Sequence, residues 1–480
     1  MGRSTRYKKL LGYGGLSSGL LLMITCFTKD SFLGGIVIAC IPLVLLYIYF
    51  LLIHPYWGLV TLLIINYFII PSIRYMHIEG LSVIIDSMIV FTFILIIINT
   101  LISNKIKWRK VYNKLVLISV IWLIYCCLEV LNPTADTKAW FLSRGLTYYF
   151  FAITLLTLLL CECYNDVKRI LYIWSILTLI GVAKGFTQHH FGFDSLEMAW
   201  LNSGGAKTHL LTTGTRYFSI YASAGMFGAV MGHAFTIFII AAFYMKKKWI
   251  KIYFFFVALS ALYGLIISGT RGAIAVPLVG IALWTILSKK IIIFVPGTVL
   301  LVCVYLFFAH TFIGQSNQYI RRIRTAFNPN EPSLVVRREN QKLFGAYLKD
   351  KPFGEGLGLS GMDTQEEFKR YTTSIPTDSW YVKIWVETGI IGLLLHISIL
   401  LYIIIHGAYI IMFQIKDHEL KGILCALQCG IFGIIVSSYG NQIFGQFPIV
   451  FFTYMSMAFV FIGKEIDQQI TNNLITTRYE

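Results

Sequence analysis

Apolar runs of about 20 residues recur along this chain, and they limit its possible folds more than any other feature. A run of this length is enough for one helix to cross a hydrocarbon core of about 30 Å. Only 13% of the residues are charged, whereas soluble domains carry roughly 25%. The pattern therefore predicts an all-α, polytopic integral membrane protein.

We predict fourteen membrane spans, of which the third, tenth and eleventh are short or crowded, so the expected range is 12–14. The predicted spans are residues 10–28, 32–53, 57–70, 81–102, 111–131, 146–161, 170–186, 217–243, 251–268, 273–287, 291–309, 388–413, 420–438 and 446–463. They are expected to form a single membrane domain that comprises residues 1–480. Two longer connections, 187–216 and 310–387, interrupt the series.

Lysine and arginine are concentrated in the short connections, which is the pattern that orients membrane helices. The residues concerned are Arg3, Arg6, Lys8, Lys9, Lys105, Lys107, Arg109, Lys110, Lys246, Lys247, Lys248, Lys251, Lys289 and Lys290. With an even number of spans, all of them fall on one side, which we predict to be the cytoplasm. Both termini are then cytoplasmic, and the two long connections face the periplasm of a bacterium. This distribution explains the net charge of +17, so we expect membrane lipids and not nucleic acid as partners.

The connection 310–387 is the only long polar segment, and it holds eleven Lys or Arg and nine Asp or Glu residues. A solvated loop of mixed charge and a binding site for an anionic ligand both fit this composition. Residues 334–349 have the periodicity of a helix, and Arg337 and Arg338 lie off its apolar face, where they are candidates to contact a ligand or headgroups. The glycines between 354 and 361 predict a flexible turn.

Two arginines lie at or just below the predicted outer interface. Arg216 occurs in T-T-G-T-R-Y-F before span eight, and Arg271 occurs in I-S-G-T-R-G-A between spans nine and ten. A charge near the hydrocarbon is costly and usually pairs with something or lines a polar cavity. Extension of the side chains to the headgroups is one interpretation. A joint site for an anion such as phosphate is the other, because arginine binds phosphate bidentately and keeps its charge.

Two carboxylates near the end of the long connection are candidates for proton transfer. Asp378, in P-T-D-S-W-Y, has the position of a general base and equally that of a helix N-cap. Glu387 is a second acid–base or substrate-binding candidate, or a local structural partner. The cysteines show no metal-ligand spacing, and His189-His190 has no third ligand. We therefore expect neither a metal nor a cofactor.

Taken together, the motifs of residues 200–440 resemble the superfamily of O-antigen ligases and O-antigen polymerases, which are bacterial envelope glycosyltransferases. The features that carry the resemblance are Arg216 at a loop end, Ser268-Gly-Thr-Arg271-Gly-Ala, Arg337 upstream of P-F-G-E-G-L-G, and Glu387-Thr-Gly389-Ile-Ile-Gly392 at the close of the long connection.

The resemblance implies that the donor is a glycan on undecaprenyl pyrophosphate, held by Arg216, Arg271 and, more loosely, Arg337. Ligases of this family commonly carry a histidine before the E-x-G-x-x-G segment, and Asp378 occupies that place here. This departure favours a polymerase of oligosaccharide repeat units over a ligase that transfers the glycan to lipid A core. A chain-length regulator is a candidate partner of a polymerase. Displacement of the pyrophosphate in one step predicts inversion at the anomeric carbon.

A flippase or exporter without catalysis is the third hypothesis. Such a transporter should show charges at the membrane midplane on several spans and two related halves. The unusual charges of this chain lie at one predicted face, and no internal repeat is visible.

Overall fold

In a computed structural model, the described residues are 32–76, 80–103, 106–211, 214–325 and 331–479, with only the backbone described at 32–40, 332, 363 and 473–479. The first predicted span, 10–28, lies outside them. Helices α1 to α7 are Phe32–Ile53, Tyr56–Met76, Val83–Ser103, Lys114–Leu128, Thr137–Leu142, Arg144–Thr147 and Tyr149–Leu160. Helices α8 to α14 are Tyr164–Phe191, Ser195–Trp200, Ala206–His209, Ala224–Tyr244, Lys248–Ile267, Ala275–Leu287 and Ile291–His310. Helices α15 to α20 are Gln318–Arg324, Pro332–Tyr347, Trp380–Phe413, His418–Ser437, Ile449–Phe461 and Gly463–Tyr479. Strands β1, Leu210–Leu211, and β2, Gly214–Thr215, pair antiparallel.

The prediction of an all-α, polytopic membrane protein is confirmed. Within the described ranges, nine helices are long and apolar enough to span a membrane, or ten if the bent pair α19 and α20 is one span. Each of the other thirteen predicted spans coincides with an apolar helix. Some are shorter than a full span: α7 has 12 residues, about 18 Å at 1.5 Å per residue, against a core of about 30 Å.

The chain divides into two compact units. Unit 1 comprises residues 1–59 and 90–106, and in its described part the Asn99 side chain donates to the Leu52 carbonyl at 2.9 Å. Unit 2 comprises residues 60–89 and 107–480, and it contains every candidate site residue.

Helix α11 forms the centre of unit 2 and packs against α12, α13 and α18. Its sequence is apolar on all sides, and it is buried along most of its length. Helix α14 is also apolar on all sides, but it has no buried residue. A helix of this kind is stable in lipid and not in water, so unit 2 is built for a membrane.

Basic residues of two connections lie at one end of unit 2. Lys107 and Lys110 contact Glu162 at 3.5 and 3.6 Å, and Lys246 contacts Asp417 at 3.0 Å. Helices α8 and α12 begin at this end, and α11 ends there. The connections before α11 and after α12, which carry the candidate arginines, therefore lie at the opposite end.

The two largest differences from the predicted span boundaries are at the starts of α11 and α17. Helix α11 begins at Ala224 and not near residue 217, because the backbone of Ser219 is held outside a helix by the Gln188 side chain, which accepts its N–H at 2.7 Å. Helix α17 begins at Trp380, eight positions before the predicted 388. The predicted start nevertheless coincides with a break in this helix, where Gly389 has φ +66°.

The glycine-rich segment 354–361 is buried throughout, so the prediction of a loose turn was wrong. Its backbone is paired with the end of the first part of α17: Glu355 N–H donates to the Val386 carbonyl at 2.8 Å, and Gly356 N–H donates to the Glu387 carbonyl at 3.1 Å. The glycines allow a close approach of two backbones and do not serve mobility.

We expect Gly389→Ala to lower the free energy of unfolding by at least about 1–3 kcal/mol. Gly389 has φ +66°, and a Cβ atom there would overlap the Pro352 carbonyl. Gly345→Ala is the matched control: its Cβ would meet only the Trp385 ring at 3.4 Å, and alanine in a helix is favoured by roughly 0.5–1 kcal/mol. Thermal unfolding in detergent tests this, and equal melting temperatures for the two variants would contradict it.

Candidate active site

Arg216 follows β2 directly, and three hydrogen bonds fix it. Its N–H donates to the His209 carbonyl at 2.8 Å, Nη1 donates to the Thr208 carbonyl at 3.1 Å, and Nη2 donates to Thr270 Oγ1 at 3.0 Å. Burial lowers the pKa of His209 to about 4, so its neutral imidazole accepts the N–H of Ala224 at 3.1 Å. The same short segment thus positions Arg216 and accepts the backbone N–H of Ala224, the first residue of α11.

The S-G-T-R motif forms the turn after α12. Ser268 Oγ accepts the N–H of Thr270 at 3.3 Å, and Thr270 Oγ1 donates to the Ala224 carbonyl at 2.9 Å. Gly269 has φ +57°, and the side chains of Arg216 and Arg322 lie where its Cβ would point. The positive φ favours glycine at this position, whereas a Cβ atom would only come into ordinary contact with the two arginines.

Arg216, Arg271, Arg321 and Arg322 line one cavity of 550 Å³, which we call the arginine cavity. Burial, together with the charges of Arg322 and Arg271, lowers the pKa of Arg216 to about 10. Burial and the charge of Arg271 also lower the pKa of Arg322. The groups repel one another and stay charged at neutral pH, so an anion with several negative oxygens is the complementary ligand.

Arg322 and Glu331 were not predicted from the sequence as site residues. Arg322 belongs to the R-R-I-R run on α15, which was a visible signal. Glu331 contacts Arg271 at 2.5 Å, and it also accepts the N–H of Ser333 at 3.0 Å and its hydroxyl. Burial acts to raise the pKa of Glu331, but Ser333 and Arg271 outweigh it and the pKa is lowered. A carboxylate is thus ionised at the position where an external anion would bind.

Removal of this internal carboxylate should strengthen anion binding. We expect Glu331→Gln to tighten the binding of inorganic pyrophosphate by about tenfold, which corresponds to about 1.4 kcal/mol. Glutamine can still accept the Ser333 hydrogen bonds, but it no longer neutralises Arg271. Isothermal titration of the purified protein measures the effect, with Glu339→Gln on the exposed side of α16 as control. Unchanged or weaker binding by Glu331→Gln would contradict the expectation.

A second, polar cavity of 300 Å³ contains Asp378 and Arg337, whose side chains lie 3.8 Å apart. Asp378 has φ +49°, a rare conformation for a residue with a side chain. The alternative that Asp378 caps the next helix is wrong, because the N-cap of α17 is Ser379 and no side chain makes a capping hydrogen bond. The strained backbone directs the carboxylate to Arg337 and the cavity. Among the described lining residues of this cavity there is no histidine.

Glu387 is fully buried beside the polar cavity and does not line it. Its Oε1 accepts the Ser360 hydroxyl at 2.6 Å and lies 3.4 Å from Lys383 Nζ. Glu387 therefore connects α17 to the glycine-rich segment, and a role in proton transfer or substrate binding stays a prediction.

Helix α16 connects the two cavities. Ser333 accepts a hydrogen bond from Arg271 Nη2 at 2.9 Å, and Arg337, one turn later on the same face, pairs with Asp378. The structure thus brings Arg216, Arg271, Arg337 and Asp378 to one region. Arg338 is exposed and lines neither cavity.

An apolar cavity of 530 Å³ adjoins the arginine cavity. It lies among α11, α12, α13, α14 and α15, and it includes Gly269 and Thr270 of the turn that holds Arg216. Ile320 and Ile323 of α15 line it, while Arg321 and Arg322 of the same helix line the arginine cavity. A ligand with an anionic head and an apolar tail matches this pair of cavities.

A family model described as O-Antigen ligase matches residues 256–397. This stretch of the chain is similar to O-antigen ligases. The predicted resemblance to the superfamily of O-antigen ligases and polymerases is thereby confirmed, and the chain is a multi-pass membrane protein of glycan processing. No curated protein matches the sequence.

The matched stretch includes Arg271, Arg337, Asp378 and Glu387 but not Arg216. It accounts for less than a third of the 480 residues. Arg216 nevertheless contacts this stretch, because its hydrogen-bond partner Thr270 lies within the match.

Proposed function

We propose that this protein is an inverting membrane glycosyltransferase that polymerises undecaprenyl-pyrophosphate-linked oligosaccharide repeats of O-antigen or another surface polysaccharide. The reaction would occur at the periplasmic face of the bacterial inner membrane. The observation that carries the proposal is the order of the cavities: an apolar cavity, then a cluster of arginines, then a polar cavity with a carboxylate. A lipid tail, a pyrophosphate and a sugar follow one another in the same order in such a donor.

The arginine cavity would hold the donor pyrophosphate. Arg216, Arg271 and Arg322 present positive groups to this cavity, and the hydrogen-bond partners of Arg216 and Arg271 are neutral apart from Glu331. Charge grows on the bridging phosphate oxygen as the glycosidic bond breaks, and preorganised donors stabilise such charge most effectively. The arginines supply the positive charge that stabilises the phosphate oxygen, so the proposed mechanism needs no metal or cofactor.

Asp378 would act as the general base. Its carboxylate accepts the proton of the attacking hydroxyl, the hydroxyl oxygen forms a bond to the anomeric carbon, and the bond from that carbon to the phosphate oxygen breaks. Undecaprenyl pyrophosphate leaves, and the proton of Asp378 returns to water. Attack from the side opposite the phosphate inverts the anomeric carbon.

A ligase that transfers the finished glycan to lipid A core is the second candidate, and the description of the matching family favours it. Ligases of the resembling family commonly carry a histidine at the position of Asp378, and no histidine is among the described residues that line this cavity. This difference favours the polymerase. The two functions share the donor and differ in the acceptor.

Reconstitution with defined acceptors tests the proposal. Purified protein in lipid vesicles receives synthetic undecaprenyl-pyrophosphate repeat units, first alone and then with lipid A core, and the products are separated on a gel. A ladder of lengthening glycan without lipid A core is the result expected of a polymerase. Transfer only after lipid A core is added would establish the ligase.

A further inference from the structure

The connection between α18 and α19 brings three carboxamides into the polar cavity. Its sequence from Ser438 is S-Y-G-N-Q-I-F-G-Q-F-P, and Asn441, Gln442 and Gln446 line the cavity together with Asp378. No role was predicted for this segment from the sequence, and the match to the O-antigen ligase model ends before it.

This connection is held firmly by contacts outside the cavity. The Ser438 carbonyl accepts the N–H of Trp380 at 3.0 Å, and the Pro448 carbonyl accepts the Asn66 side chain at 3.2 Å. A Cβ atom on Gly445 would overlap the Trp380 ring, so the backbone lies directly on that ring. The segment that carries the three carboxamides is therefore fixed at both of its ends.

The chemistry of the lining indicates a sugar. A carboxamide donates through its NH₂ group and accepts through its oxygen, and a sugar hydroxyl does both. Asn441 Nδ2 finds no hydrogen-bond acceptor among the described residues and lies buried against Gly272, so it is a donor without a partner at the wall of the cavity and not an open group inside it. The cations of the cavity already face carboxylates, with Arg337 beside Asp378 and Lys383 beside Glu387. The remaining hydrogen-bonding groups of the cavity are thus suited to neutral hydroxyls. The cavity volume of 300 Å³ lies at the lower end of the usual range for ligand pockets, about 300–1,000 Å³.

The position of the carboxamides distinguishes the two substrates. In a single displacement, the leaving oxygen and the attacking oxygen lie on opposite sides of the anomeric carbon. If the pyrophosphate is in the arginine cavity, the attacking hydroxyl comes from the side of Asp378, where the carboxamides are.

We propose that Asn441 and Gln446 form the acceptor subsite, which binds the terminal sugar of the acceptor as a neutral, hydroxyl-bearing ring; this inference rests on the proposed function. Gln442 is the supporting member, because its NH₂ group donates to Thr377 Oγ1 next to Asp378. The subsite holds the ring so that one hydroxyl faces Asp378.

Saturation-transfer NMR on the full chain in lipid nanodiscs tests binding. The probes are the methyl glycosides of glucose, galactose, N-acetylglucosamine, rhamnose and glucuronic acid. We expect a neutral glycoside to bind, Asn441→Ala and Gln446→Ala to weaken it about tenfold, and the exposed Gln365→Ala to leave it unchanged. No binding of any neutral glycoside, or binding that the two variants do not weaken, overturns the inference.

A transfer assay separates this inference from the proposed function. Methyl glycosides carry no pyrophosphate, so they can act only as acceptors, and the donor is the lipid-linked oligosaccharide extracted from the source cells. In the two variants we expect KM for the acceptor to rise about tenfold while KM for the donor stays within a factor of about two. Equal effects on both substrates overturn the acceptor subsite but leave the function standing. Binding without any transfer by the wild type contradicts the proposed function and with it the acceptor assignment.

Discussion

Arg216→Ala is expected to reduce glycan transfer by at least about 100-fold, because removal of one preorganised donor to a developing anion typically costs 10²–10³ in rate. Three hydrogen bonds constrain Arg216, whose backbone and both terminal nitrogens are held by His209, Thr208 and Thr270. Its guanidinium is charged, and it shares the arginine cavity with Arg271 and Arg322. Arg271→Ala should have a comparable effect.

The measurement is the initial rate of transfer in lipid vesicles, compared at equal amounts of folded protein. Arg338→Ala is the matched control, because Arg338 carries the same charge on the other long connection but lines neither cavity. We expect Arg338→Ala to stay within a factor of about two, as exposed charges contribute little. Equal losses for Arg216→Ala and Arg338→Ala would show a general effect of charge and contradict an anion site.

Asp378→Asn is expected to reduce transfer by about 10²–10⁴, the range that general acid–base catalysis contributes. Asparagine has nearly the same shape and can still face Arg337, but it cannot accept the proton of the acceptor hydroxyl. Asp378 caps no helix, so the substitution should leave the melting temperature unchanged. Asparagine also tolerates the left-handed backbone of this residue better than most residues.

The test combines transfer rate and thermal unfolding for the same preparations. Glu339→Gln supplies a control for the loss of one carboxylate from the outer segment, since Glu339 is exposed on α16. Loss of activity with an unchanged melting temperature supports the base. Normal transfer by Asp378→Asn would remove Asp378 from the mechanism, and a lowered melting temperature would assign it a structural role.

The sequence predicted the membrane architecture well, for a physical reason. Apolar runs such as 251–268 and 291–309 have no alternative to helix in hydrocarbon, and helices α12 and α14 follow them closely. Boundaries were less certain where an interaction from another segment decides them. The start of α11 depends on the distant Gln188, and the early start of α17 at Trp380 was not visible in hydropathy.

The site was predicted in part. Arg216, Arg271, Arg337 and Asp378 are unusual in an apolar chain, and the structure brings them to one region. The remaining features depend on tertiary contacts. Glu331 resembles any acidic loop residue until its contact with Arg271 is known, and the carboxamides of the connection after α18 carry no charge that would make them stand out.

Release of undecaprenyl pyrophosphate tests the central claim most directly. Purified protein in lipid nanodiscs receives the synthetic undecaprenyl-pyrophosphate repeat unit, and mass spectrometry follows the free lipid pyrophosphate together with the glycan product. The account predicts one released undecaprenyl pyrophosphate for each new glycosidic bond with the wild type, and neither product with Arg216→Ala. A wild-type protein that moves the donor across vesicle membranes but leaves it intact, with the glycan still attached, would contradict the account and support a transporter.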